Sequence, residues 1–385
     1  MKVFHCDHCG QLLFFENFHC VHCKHLLAYV PELGVVTSLD PVENDLWTSP
    51  LPRAQGKTYR LCENYKLHNT CNWAMPSEDP NLLCKSCRLT RTIPNLEVHE
   101  NAVLWYKLGI AKRRLIYTLQ QLNLPIKSKA EDPEHGLVFD FLSDQLSLSP
   151  VLTGHDNGTI VMNIIEADEV EREKRRVSMH EPYRTLLGHF RHEIGHYYWD
   201  VLIQNSPRLD AFRELFGDER VEYDKALKKH YEQGPPPNWQ ENFVSAYASS
   251  HAWEDWAETW AHYLHVTDTL ETAADSGIHL RPKRSDEPAL NEVVNPIDDT
   301  NISFDKMMDA WVPLTYVLNN LNRGLGMSDA YPFVLSESAM KKLRFIHETI
   351  EAIGKIQPTQ AGAPVPGNQP APPQFADAAP AMSSN

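Results

Sequence analysis

From about Leu96 to Leu124 apolar residues recur at helical spacing (Leu104, Leu108, Leu115, Leu119 and Leu122), which predicts a long helix. Before it, PELGVVTSLDPVENDLWTSPLPRAQGK is rich in Pro and turn formers and reads as loop with short strands. After it come short strand candidates: LVFDFL at 137–142, then VLT and TIVMNII around Gly154-His155-Asp156-Asn157-Gly158. Asn before Gly between apolar runs predicts a hairpin at 151–165. Further helices are predicted at 183–203, at a Trp-rich 240–266, at 304–323 and at 337–353. Gly234-Pro235-Pro236-Pro237 breaks the chain between the 183–203 and 240–266 helices, Gly324 stands as a C-cap, and Pro313 is placed to kink the 304–323 helix. From Gln357 to Asn385 the chain is Pro/Ala/Gln-rich with almost no large apolar residues, which predicts disorder.

The eight cysteines change this picture, because all of them fall between Cys6 and Cys87. Cys6, Cys9, Cys20 and Cys23 form two C-x2-C pairs; Cys62, Cys71, Cys84 and Cys87 form a second group with one such pair. A C-x2-C turn lets two thiolates wrap one metal, and four thiolates close a tetrahedral structural zinc site. Eight cysteines therefore give two structural zinc ions with none left over. His5, His8, His19, His22 and His25 lie close by and read most simply as polar knuckle residues. The chain divides into a double zinc ribbon (1–95), a second domain (96–356) expected to fold alone, and the tail (357–385).

Net charge is -15. Residues 1–94 hold nine Lys/Arg and nine Asp/Glu, so the whole deficit lies beyond them. The net charge argues against nucleic acid as the main partner, and the neutral first segment neither excludes it nor offers evidence for it. No apolar run reaches membrane length and the start has no secretory h-region, so the expected compartment is the cytoplasm.

The chemistry is carried by His192-Glu193-Ile194-Gly195-His196. On a helix, residues four apart share a face, so both imidazoles reach one zinc while Glu193 lies aside, near a metal-bound water. A later segment holds Glu254 and Glu258, again four apart, with Ala257 and Ala261 small enough to admit the first helix. Glu254 completes a set of two His and one Glu with an open fourth position. Glu258 is placed to accept the distal N–H of a ligand histidine. His189 is a competing ligand ranked below Glu254; His262 and His265 read as supporting or surface groups.

This pattern resembles the gluzincins, and most closely the branch containing the anthrax lethal factor protease domain. The resemblance implies that Tyr247, seven residues before Glu254, reaches the active site, and that Ala257 precedes the second glutamate. The motifs FHCDHCGQLLFFEN, LCKSCRLTRTIPNL, FRHEIGHYYWDVLI and SHAWEDWAETWAHYLH are similar to a bacterial family called putative zinc-binding metallopeptidases, over nearly the whole chain apart from the tail. It implies an α+β protein: a zinc-ribbon module, then a mostly helical zincin-like domain with a small antiparallel sheet whose 151–165 hairpin aligns substrate. The expected activity is peptide hydrolysis, with one catalytic and two structural zinc ions and a peptide or protein substrate. Glu193 acts as general base and Tyr247 on the oxyanion. A rival reading from another class is a zinc-ribbon protein-interaction or nucleic-acid-associated scaffold with a non-catalytic zincin domain; the intact Glu193 favours the enzyme.

Overall fold

A computed structural model describes residues 1–144, 151–179, 181, 183–284, 286, 289, 294–299 and 301–356; the tail expected to be disordered lies outside them. The N-terminal region opens with a two-stranded antiparallel hairpin, β1 (Phe4–His5) and β2 (Leu12–Leu13), which holds Cys6 and Cys9. A five-stranded antiparallel sheet follows in the order β3 (Leu26–Val30), β4 (Val35–Val42), β5 (Leu46–Thr48), β6 (Tyr59–Leu61), β7 (Ala74–Pro76). A single turn of helix, α1 (Glu63–Lys66), begins directly after Cys62.

The strand after Cys87, β8 (Thr90–Thr92), leaves this region and joins another sheet. The chain then forms α2 (His99–Gln121) and returns as β9 (Val138–Leu142), parallel to β8. Parallel neighbours require a crossover, and α2 supplies it. β10 (Gly154–Asp156) and β11 (Thr159–Asn163) complete the sheet in the order β10-β11-β9-β8. The sheet is therefore mixed, not antiparallel as expected: only β10–β11 is antiparallel, while β11–β9 and β9–β8 are parallel. The predicted hairpin is present, with its turn confined to Asn157 and Gly158 at φ 45° and 76°. Gly158 is required there, since a Cβ would meet the Gly136 carbonyl oxygen at 2.2 Å.

The remaining elements are helical: α3 (Glu169–Ser178), α4 (Leu186–Leu202), α5 (Leu209–Phe216), α6 (Tyr223–Gln233), α7 (Ala252–Asp275), α8 (Phe304–Gly324) and α9 (Glu337–Ile356). The helix expected over 240–266 begins only at Ala252. Extended backbone at His251 stops it, and the His251 ring accepts the Trp253 amide as a cap at 3.1 Å. Residues 247–250 before it form a tight 3-10 turn. α8 runs through Pro313, and the left-handed residue closing it is Gly326 rather than Gly324. Among the described residues no helix is long and apolar enough to cross a membrane.

One buried apolar cluster joins the cysteine-rich region to the helices. At its centre Phe15, Tyr29 and Trp73 from the first region pack on one another and on Tyr117 of α2, with ring centres 4.8–6.5 Å apart. The packing continues to Tyr198 of α4, stacked on Trp260 of α7 at 4.9 Å. α4 and α7 meet almost backbone to backbone: a Cβ on Gly195 would lie 2.9 Å from the Ala257 Cα. The Trp256 indole N–H donates to the Gly195 carbonyl at 2.8 Å, fixing the register of the pair.

Candidate metal centres

The two cysteine groups close into two clusters, one of Cys6, Cys9, Cys20 and Cys23, the other of Cys62, Cys71, Cys84 and Cys87. The Sγ atoms of Cys6 and Cys23, and of Cys9 and Cys20, are 3.6 Å apart; those of Cys71 and Cys84 are 3.7 Å apart. Such separations exceed a disulfide of about 2.05 Å. They approach the roughly 3.8 Å edge of a tetrahedron with zinc–sulfur bonds of about 2.3 Å. The Cys84 and Cys87 amides donate to the Cys62 and Cys84 sulfurs, each at 3.4 Å, as a thiolate would ask. Hydrogen bonds from Cys62, Cys71 and Cys84 hold the Cys87 thiol well below its usual range against burial, with Lys112 adding to the pull. None of the five nearby histidines joins either group; His8 and His25 stack on each other at 3.7 Å.

The third cluster is His192, His196 and Glu254. α4 presents the two imidazoles on one face and α7 brings Glu254 opposite them. His192 Nε2 is 3.2 Å from His196 Nε2 and 3.0 Å from Glu254 Oε2, which is 3.5 Å from His196 Nε2. These edges match the roughly 3.3 Å expected around zinc with bonds of about 2.0–2.1 Å.

The protons around the cluster strengthen the fit. Glu258 Oε1 accepts from His192 Nδ1 at 2.7 Å, and its other oxygen takes the Ser245 hydroxyl at 2.6 Å. That contact keeps a hydrogen on Nδ1 and leaves Nε2 as the atom that faces Glu254. Glu254 Oε2 is buried and makes no aligned hydrogen bond, while Oε1 accepts from the Tyr223 hydroxyl. A buried carboxylate at this place needs positive charge beside it, either protons on the imidazoles or a cation between the three donors. Burial lowers the pKa of His192, but Glu254 and Glu258 outweigh it and raise it well above normal. Burial raises that of Glu254, but His196 and His192 outweigh it and hold it well below. Both directions show that the site calls for positive charge, and its donor set fits zinc.

Glu193 is buried, next to His192 in the chain on α4, and its charge acts on Tyr223 and Tyr247. Tyr247 stands on the 3-10 turn before α7, its ring centre 5.9 Å from that of His192. Burial, then Glu254, raises its pKa well above normal, so it stays a protonated donor. His189 is not in the cluster: its Nδ1 lies 3.3 Å from Glu166. His262 bonds the Tyr331 hydroxyl at 2.6 Å, and His265 is engaged by Arg191.

Three neighbours escaped sequence reasoning. Tyr223 on α6 and Ser245 before the 3-10 turn reach ligand-side carboxylates through tertiary packing that no local spacing announces. His155 was placed in the hairpin turn; it lies on β10, with its ring nearly parallel to that of His196 at 6.2 Å.

Residues 101–349 match a family described as putative zinc-binding metallo-peptidase, and residues 3–98 match a zinc-ribbon domain. Uncharacterized proteins of Mycobacterium tuberculosis and Mycobacterium bovis are each 44% identical over 354 residues, 92% of this chain and 96% of the relative. No solved structure matches this chain.

Proposed function

Since the chain belongs to the putative zinc-binding metallo-peptidase family, we propose that it hydrolyses peptide bonds at the site formed by His192, His196 and Glu254. The observation that carries this reading is the convergence of those three donors, with Glu193 buried next to His192 on the same helix. Zinc bound there would supply a Lewis acid that acidifies water and polarises a carbonyl. Glu193 takes the proton of the attacking water and delivers it to the leaving amine. Tyr247 donates a hydrogen bond to the developing oxyanion. Glu258, steadied by Ser245, keeps the His192 hydrogen on Nδ1, and Tyr223 holds Glu254 by one oxygen so that the other faces the cluster.

The reading includes two structural zinc ions in the cysteine clusters, hence three per chain. It takes a peptide or protein as substrate, laid along edge strand β10. Eight free cysteines suit a reducing compartment, and the cytoplasm is the proposed location. The deciding experiment is digestion of a peptide library by fully zinc-loaded protein, with and without chelator. Cleavage that stops with chelator and returns with zinc is expected. A loaded protein that cleaves nothing hands the chain to the scaffold reading.

A further inference from the structure

α2 carries two adjacent cations, Lys112 and Arg113, only 3% and 2% exposed. Buried cations are found paired, because an unpaired one forfeits its hydration. Other basic residues of α2 obey this, Lys107 meeting Glu169 at 3.2 Å and Arg114 meeting Glu16 at 2.6 Å. Among the described residues neither Lys112 nor Arg113 has a carboxylate partner. Lys112 Nζ donates to the Thr90 hydroxyl and lies 5.5 and 5.6 Å from the ring centres of Phe139 and Phe141. Arg113 Nη1 donates to the Thr70 carbonyl at 2.6 Å, while its Nε and Nη2 find no partner. Both contacts lead to the second cysteine cluster: Thr90 follows the turn that starts at Cys87, and Thr70 precedes Cys71. Cys87, Cys84 and Cys71 are the negative groups acting on Lys112.

We infer that the zinc-loaded cluster of Cys62, Cys71, Cys84 and Cys87 is the buried counter-ion of Lys112 and Arg113, and so fastens α2 of the peptidase domain to the ribbon. This rests on the reading of that cluster as a structural zinc site. Four thiolates around one divalent zinc leave two negative charges, which the two cations balance. α2 in turn reaches the ligand helices. Tyr117 donates to Glu271 of α7 at 2.7 Å, and Thr118 donates at 2.8 Å to Asp268, which also pairs with Arg191 of α4. α2 thereby links the second cysteine cluster to the two helices that carry the third site's donors.

The test uses the full chain as Lys112→Met, as Cys84→Ser with Cys87→Ser, and as the combination. Zinc content, zinc transfer to a chromophoric chelator and thermal midpoint are measured on each. Lys112→Met alone should speed zinc transfer from the second cluster by about ten-fold or more. The cysteine variant should lower the thermal midpoint of the whole chain, and adding Lys112→Met should restore part of that loss because one buried cation fewer is left stranded. Unchanged zinc transfer in Lys112→Met overturns the inference alone, even if the cysteine variant fails to fold; so do strictly additive midpoints. Wild type with no zinc in the second cluster overturns the structural-site reading beneath it.

Discussion

Two tyrosine hydroxyls stand beside Glu254, and their partners assign them different work. Tyr223 donates to the carboxylate itself, so Tyr223→Phe should weaken zinc at the third site by about 10–100-fold, with activity recovered at high zinc. Competitive chelator titration checks this, and unchanged affinity would remove Tyr223 from the metal's support. Tyr247 bonds no ligand, and Tyr247→Phe should keep zinc and lower turnover. Glu193→Gln should likewise keep zinc and the fold, while losing about two or more orders of magnitude in rate; equal cleavage by this variant would end its assignment as the base. The convergence of His192, His196 and Glu254 was legible because the two histidines stand four apart on one helix and Glu254 and Glu258 four apart on another. Tyr223 was not, since it stands 31 residues before Glu254 and meets it only through packing.

The contact between α4 and α7 sets how far the histidines stand from Glu254. Gly195 and Ala257 leave no room there, so Gly195→Ala must push the helices apart by several tenths of an ångström. The expected result is a lower thermal midpoint together with weaker zinc at the third site; a loss of stability with zinc affinity intact would show that the donors follow the movement. A second prediction belongs to the turn joining β11 to α3, where Glu166 is buried. Burial raises its pKa, but His189, Arg184 and Arg175 outweigh that and bring it down from 4.5 to about 2. A carboxylate depressed by folding adds stability above its unfolded pKa and loses it as pH falls to the folded one. Wild type should therefore melt higher than Glu166→Gln at neutral pH, and the gap should close between about pH 4.5 and 2. The long periodic helices α2, α4, α8 and α9 could be read from apolar spacing. α3, EVEREKRRVS, could not: it has two apolar residues, and what marks it instead is local, the Asp168 cap and the pairs Lys174–Glu171 and Arg176–Glu173, to which apolar spacing is blind. α5 and α6 are short, and the chain between α4 and α7 carries too little periodicity to place them.

Across the whole molecule, the cysteines mark a region that is separate in sequence and continuous in packing. Phe15 and Tyr29, backed by Trp73, cover Tyr117, and β8 completes the sheet of the helical domain. A fragment beginning at residue 96 would lose that strand and bare Tyr117. It should be less soluble and melt lower than the full chain, contrary to what the chain boundaries alone suggest; a fragment matching the full chain in both would restore that view. The same strand orders events during synthesis. Thr90 pairs with Phe139, so β8 emerges from the ribosome well before the partner that will hold it. Cys84 and Cys87 are then already exposed, and capturing zinc is the one stabilising step open to that stretch of chain. In a zinc-starved cell the nascent protein would stall with an unpaired strand next to bare thiols, visible as early protease sensitivity in pulse-labelled chains.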